Sequence, residues 1–101
     1  ESEQNKGVYK PFGNNAMLCA DPANGEIRRF LTGPVGQEIT GCVTTPDGKT
    51  MFINVQHPGA TTTPDEFAEG RMRSRWPSSD SAVPRSATVV ITRDDGGVIG
   101  T

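Results

Sequence analysis

The sequence predicts an all-β fold of antiparallel meanders, on three observations: three pairs of apolar or β-branched runs, a turn signal between the members of each pair, and an alternation in the longest run that leaves one face fully apolar. Gly (12) and Pro (8) are plentiful and the hydrophobic fraction is 33%, so 101 residues hold one modest core with much turn and loop around it.

The first pair is Met17-Leu18-Cys19-Ala20-Asp21 and Glu26-Ile27-Arg28-Arg29-Phe30-Leu31, joined through Pro22-Ala23-Asn24-Gly25. Asn24-Gly25 supplies the positive φ angles of a tight hairpin turn. A second pair, residues 39–44 and 50–56, flanks Pro46-Asp47-Gly48. There Pro presets φ, Asp bonds its own backbone and Gly takes the strained position. Met51, Ile53 and Val55 alternate with Phe52, Asn54 and Gln56, which gives that strand one apolar face and one mixed face. The last run, residues 87–92, is almost wholly β-branched, and Asp94-Asp95-Gly96-Gly97 is expected to turn it into a further strand at Val98-Ile99. Between residues 56 and 87 no strand pattern is visible, and only residues 64–69 suggest a short helical turn. A connection of that length is either functional or disordered.

Placed in four-stranded meanders, the first pair reads as the two outer strands of one sheet and the remaining runs as the four strands of the next. This is the register of a partial β-propeller of about one and a half blades. Residues 15–36 would end one blade and residues 37–101 would form most of the next, with a long loop at 57–86. Connections in a meander alternate between the two ends of a sheet. The short turns therefore share one end, while Asn14-Asn15, the 33–38 connection and the long loop share the other, where a propeller places its site.

A net charge of −2 and a pI near 5.3 leave no cationic surplus for nucleic acid, and no apolar run is long enough to span a bilayer. The opening residues lack both an initiator Met and a basic-then-apolar leader, as in a mature or excised segment. Cys19 and Cys42 lack metal-ligand spacing and are expected to be small buried strand residues.

Glu38 stands at the start of the innermost strand on the loop-rich end, where a carboxylate suits calcium or oxygen-ligated iron. His57, the sole histidine, follows the best strand at the same end in Gln56-His57-Pro58-Gly59, where Gln56 and His57 shape the loop beside the site. Arg85 precedes the last strand there, and its guanidinium can pair with a phosphate. Arg85 and His57 are thus the candidate substrate-binding residues, with Arg71, Arg73 and Arg75 as further cations in the loop. Trp76 is expected to pack that loop against the sheet. The Walker sequence, the nucleophile elbow and the zinc helix are all missing.

Taken in order, Met17 to Pro22, Gly25-Glu26-Ile27-Arg28-Arg29-Phe30, Glu38-Ile39-Thr40-Gly41, Thr45 through Asn54-Val55-Gln56-His57-Pro58-Gly59, and Pro84-Arg85-Ser86-Ala87-Thr88 resemble the C-terminal part of the PhoX-type alkaline phosphatases, a family of exported bacterial proteins. The resemblance implies a propeller enzyme that hydrolyses phosphate monoesters with calcium and iron and reaches the periplasm or the medium by the twin-arginine route. It also implies that Glu38, in a Glu-x-x-Gly motif, is a metal ligand. Members of that family are several times longer, so this chain alone is expected to be inactive. Two other readings are a non-catalytic β-sheet module that pairs through exposed strand edges and part of a calcium-dependent propeller lactonase.

Overall fold

The computed structural model describes residues 7, 10–11, 15–80 and 83–101. Asn14 lies outside the described residues. Among the described residues the chain is nearly all-β, with two antiparallel sheets and one short helix.

The first sheet pairs β1 (Ala16–Ala20) with β2 (Ile27–Thr32), running from Ala20 opposite Ile27 to Ala16 opposite Thr32. Its turn is closed by local bonds, in which the Gly25 amide donates to Asp21 O at 2.8 Å and the Glu26 amide to Asn24 Oδ1 at 2.8 Å. The register steps between Met17 and Leu18, leaving Phe30 as the extra residue of a bulge.

The second sheet is the meander β3 (Glu38–Thr44), β4 (Thr50–Gln56) and β5 (Ala87–Thr92), with β4 in the middle. The central position explains the core. Ile53 and Val55, on the apolar face of β4, are 3% and 4% exposed. Gly41 is the extra residue of a second bulge, at φ +59, and a Cβ there would lie 2.9 Å from Asn54 Nδ2. In the β3–β4 turn, Asp47 Oδ1 accepts from Thr45 Oγ1 (2.6 Å) and from the Lys49 amide (3.1 Å). Those two bonds, the hydroxyl's first, hold the Asp47 carboxyl below its usual range.

The expected strand at Val98-Ile99 does not form. Instead, the Ile99 amide donates to Gly48 O at 2.9 Å, which folds the last residues over the β3–β4 turn. Arg93 fixes this path by donating to Val98 O and to both Thr101 oxygens while pairing with Asp95. The second sheet thus has three strands, and the outer edge of β5 is unpaired among the described residues. Successive antiparallel sheets of this kind are the arrangement of a partial propeller. Cys19 and Cys42 are exposed free thiols rather than buried ones, because each lies on an outer strand with no further layer over it.

α1 (Pro64–Ala68) interrupts the long loop. Thr63 caps it reciprocally: Thr63 Oγ1 accepts from the Glu66 amide, and Glu66 Oε2 accepts from the Thr63 amide. Beyond the helix, Arg73 pairs with Glu66 at 3.0 Å and its amide donates to Thr62 Oγ1 at 3.1 Å. The loop is therefore folded back on itself across α1.

Candidate functional site

Register alone places the expected residues. Glu38 opposes Gln56, and Val55 opposes Ala87, so the start of β3, the end of β4 and the start of β5 share one end of the sheet. Thr44 opposes Met51 and Thr50 opposes Thr92, which puts the short turns at the other end. Asn15, just before β1, joins the Glu38 end through its bond to Gln37 O at 2.8 Å.

At that end the structure brings Glu38 and His57 together. His57 Nε2 lies 3.5 Å from Glu38 Oε2, and the two side chains are 35% and 31% exposed. The second ring nitrogen, Nδ1, lies 3.3 Å from Gly36 O. The His57 backbone is in the left-handed region at φ +37, unusual for a residue with a Cβ. It is held there from both sides, its amide donating to Ser86 Oγ at 3.0 Å and its carbonyl accepting from the Ala60 amide at 3.1 Å.

Beneath this pair the backbone is tightly laced. The Gly59 amide donates to Val35 O at 2.8 Å, binding the 33–37 connection to the His57 loop. Gln37 is fully buried and its Nε2 returns a bond to Asn15 O at 3.3 Å. Its amide lies against Gly33, where a Cβ would come within 2.3 Å of Gln37 Cδ. Glu38 thus follows directly on an immobilised residue.

Arg85 is exposed beside Ser86, the residue that anchors His57, and its guanidinium has no ion pair among the described residues. Its amide donates to Trp76 O at 3.2 Å, and Trp76 is half-buried there. The other loop arginines are engaged locally: Arg71 with Glu69, Arg73 with Glu66, and Arg75 with Gly70 O. Beside the site, an apolar groove of about 400 Å³ is lined by residues including Gly59, Phe67, Met72 and Pro84.

Sequence reasoning missed Gln37, Ser86 and the Gly36 carbonyl. A buried glutamine has no sequence mark, since glutamine is ordinarily a surface residue. Gly33 and Gly36, both just before it, were the available hint of close backbone approach.

Among the described residues no cluster of three or more His, Cys, Asp or Glu could hold a metal ion, and no helix is long and apolar enough to cross a membrane. Residues 2–59, more than half of the chain, match the profile of the family described as Alkaline phosphatase PhoX. The chain belongs to the PhoX alkaline phosphatase family. A solved PhoX from Pseudomonas fluorescens, in complex with vanadate, a transition state analogue, is 46% identical to it with a TM-score of 0.77. The match covers 96% of this chain and 15% of that one, so this chain spans a small part of the length of the PhoX it resembles. No curated protein matches the sequence.

Proposed function

We propose that this chain is one segment of a larger, exported, metal-dependent phosphatase that hydrolyses phosphate monoesters, and that other blades complete its site. The observation that carries the reading is the convergence of Glu38, His57 and the Arg85 segment at one end of the sheet, in a chain 46% identical to a PhoX that binds vanadate. Membership of the PhoX family favours phosphate ester hydrolysis over lactone opening.

The donor chemistry fits a shared metal site. Glu38 presents a hard carboxylate, and only its Oε2 has a partner among the described residues, the His57 ring. One such oxygen suits calcium or iron but fills only a fraction of either coordination sphere. In this reading the remaining ligands come from outside the chain. Bound metal supplies charge neutralisation at the phosphoryl oxygens and activation of a nucleophile. Arg85 reaches outward to pair with the phosphoryl oxygens, and His57 serves the site through Glu38. Export to the periplasm or the medium by the twin-arginine route belongs to the same reading.

The test is hydrolysis of p-nitrophenyl phosphate by the full-length protein that carries this segment, with calcium and after chelation. Turnover that chelation abolishes and calcium restores is expected, with none from the 101 residues alone. A full-length protein inert toward phosphate esters but active on lactones would overturn the assignment.

A further inference from the structure

We propose that His57 is a positioning residue for Glu38: its ring aims the carboxylate into the metal site and does not itself bind substrate. The inference rests on the reading of Glu38 as a ligand and adds to it how that ligand is held.

A histidine that binds a phosphoryl group must turn a nitrogen toward it. Here both nitrogens face protein oxygens, Nδ1 toward Gly36 O at 3.3 Å and Nε2 toward Glu38 Oε2 at 3.5 Å. Each nitrogen thus already has a protein oxygen within 3.5 Å. His57 occupies a left-handed conformation at φ +37, which glycine or asparagine adopts more readily. The Ser86 and Ala60 bonds fix that conformation, and it carries the ring back over the start of β3.

The contact has a chemical purpose at a metal site. A ligating carboxylate with free rotation presents its two oxygens in many orientations, and partners outside the coordination sphere narrow that choice. His57 lies against Oε2, and Oε1, which has no partner among the described residues, is the oxygen this reading gives to the ion. The Gly36 carbonyl in turn fixes the ring, and Gly36 is held close to the His57 loop, where a Cβ would come within 3.2 Å of Gly59 Cα. The result is a relay of fixed contacts from buried backbone to an accessible carboxylate.

The experiment uses the full-length protein carrying this segment, stripped with chelator and titrated with calcium, bound ion being measured by calorimetry and turnover with p-nitrophenyl phosphate. His57→Asn keeps a side chain tolerant of the left-handed backbone and able to reach Gly36, but removes the group facing Glu38. It is expected to weaken calcium binding about tenfold or more, with KM unchanged at saturating calcium. His57→Gln, whose amide extends to the Nε2 position, is expected to retain more affinity and serves as the second variant if the first folds poorly. In a Glu38→Gln background, His57→Asn should have no further effect. A raised KM with calcium binding unchanged, or fully additive losses, overturns the inference. If Glu38→Gln weakens calcium binding and neither His57 variant does, this inference alone fails. If Glu38→Gln leaves binding intact, the ligand reading fails and this inference with it.

Discussion

Asn15 and Gln37 hold each other reciprocally across 22 residues: Asn15 Nδ2 donates to Gln37 O at 2.8 Å, and Gln37 Nε2 donates to Asn15 O at 3.3 Å. The pair ties the start of the first sheet to the start of the second, one residue before Glu38. Asn15 is itself at φ +32, which asparagine tolerates better than most residues.

Replacing this asparagine separates the bond from the backbone conformation. Asn15→Ala loses both and should cost about 1–3 kcal/mol, the range for leaving a buried carbonyl unpaired. Asn15→Gly keeps the conformation and should cost less. Urea unfolding followed by Trp76 fluorescence reads both, and equal, negligible losses would show that the pair is not structural.

Gly33 gives a steric prediction. A methyl group there overlaps Gln37 Cδ at 2.3 Å, and the buried Gln37 side chain has little space into which to swing. Gly33→Ala should therefore cost roughly 1–3 kcal/mol as an overpacked site. Combined with Gln37→Ala, which removes the obstacle, its cost should shrink. Strict additivity in that double-mutant cycle would mean that the two positions do not clash.

The loop has its own pH dependence. The Arg73 guanidinium, followed by the Thr63 amide, lowers the Glu66 carboxyl from 4.5 to about 2. A carboxyl depressed in the folded state contributes stability that is fully present above its ordinary value and is lost as pH falls toward and through 2. Hydrogen exchange at the Arg73 amide, which bonds Thr62 Oγ1, should accordingly rise relative to the β4 amides between pH 5 and pH 2. In Glu66→Gln it should already be raised at pH 7 and change little with acid. A wild-type profile as flat as that of the variant would exclude the ion pair as the clasp.

A fourth expectation concerns association. Val43, Phe52 and Val90 are paired neighbours across the second sheet, and Val43 and Val90 are 62% and 58% exposed. Beside them β5 offers an unpaired edge. The isolated chain should sediment above 10.8 kDa, and Val90→Lys should shift it toward the monomer by placing charge on that face. A wild-type chain that is monomeric at high concentration would show the face to be inert.

Much of this architecture is legible in the sequence wherever one local rule decides the outcome. Met51, Ile53 and Val55 mark the core face of β4 by alternation, and Pro46-Asp47-Gly48 fixes where β3 and β4 reverse. Meander topology then brings Glu38 and His57 to the same end. What could not be read depends on distant partners. Val98 and Ile99 have strand propensity, but Gly48 O captures the Ile99 amide and Arg93 captures Val98 O, so propensity yields to tertiary bonds. Gln37 is buried because Asn15 waits across the sheet gap. The approach of His57 to Glu38 needs a left-handed backbone that histidine does not advertise.

The two ends of the second sheet differ in how far apart in sequence their partners lie. Asp47 and Asp95 close their turns on residues two positions away, whereas His57 reaches Gly36 across 21 residues and Ser86 across 29. Loop-closure entropy grows with separation, so the turns can assemble early from local chain while the Glu38 corner waits for three segments to dock. That corner should be the last part of the sheet to consolidate during folding. In the proposed reading of Glu38 as a metal ligand, ion binding would add stability to a corner whose own contacts are all long-range.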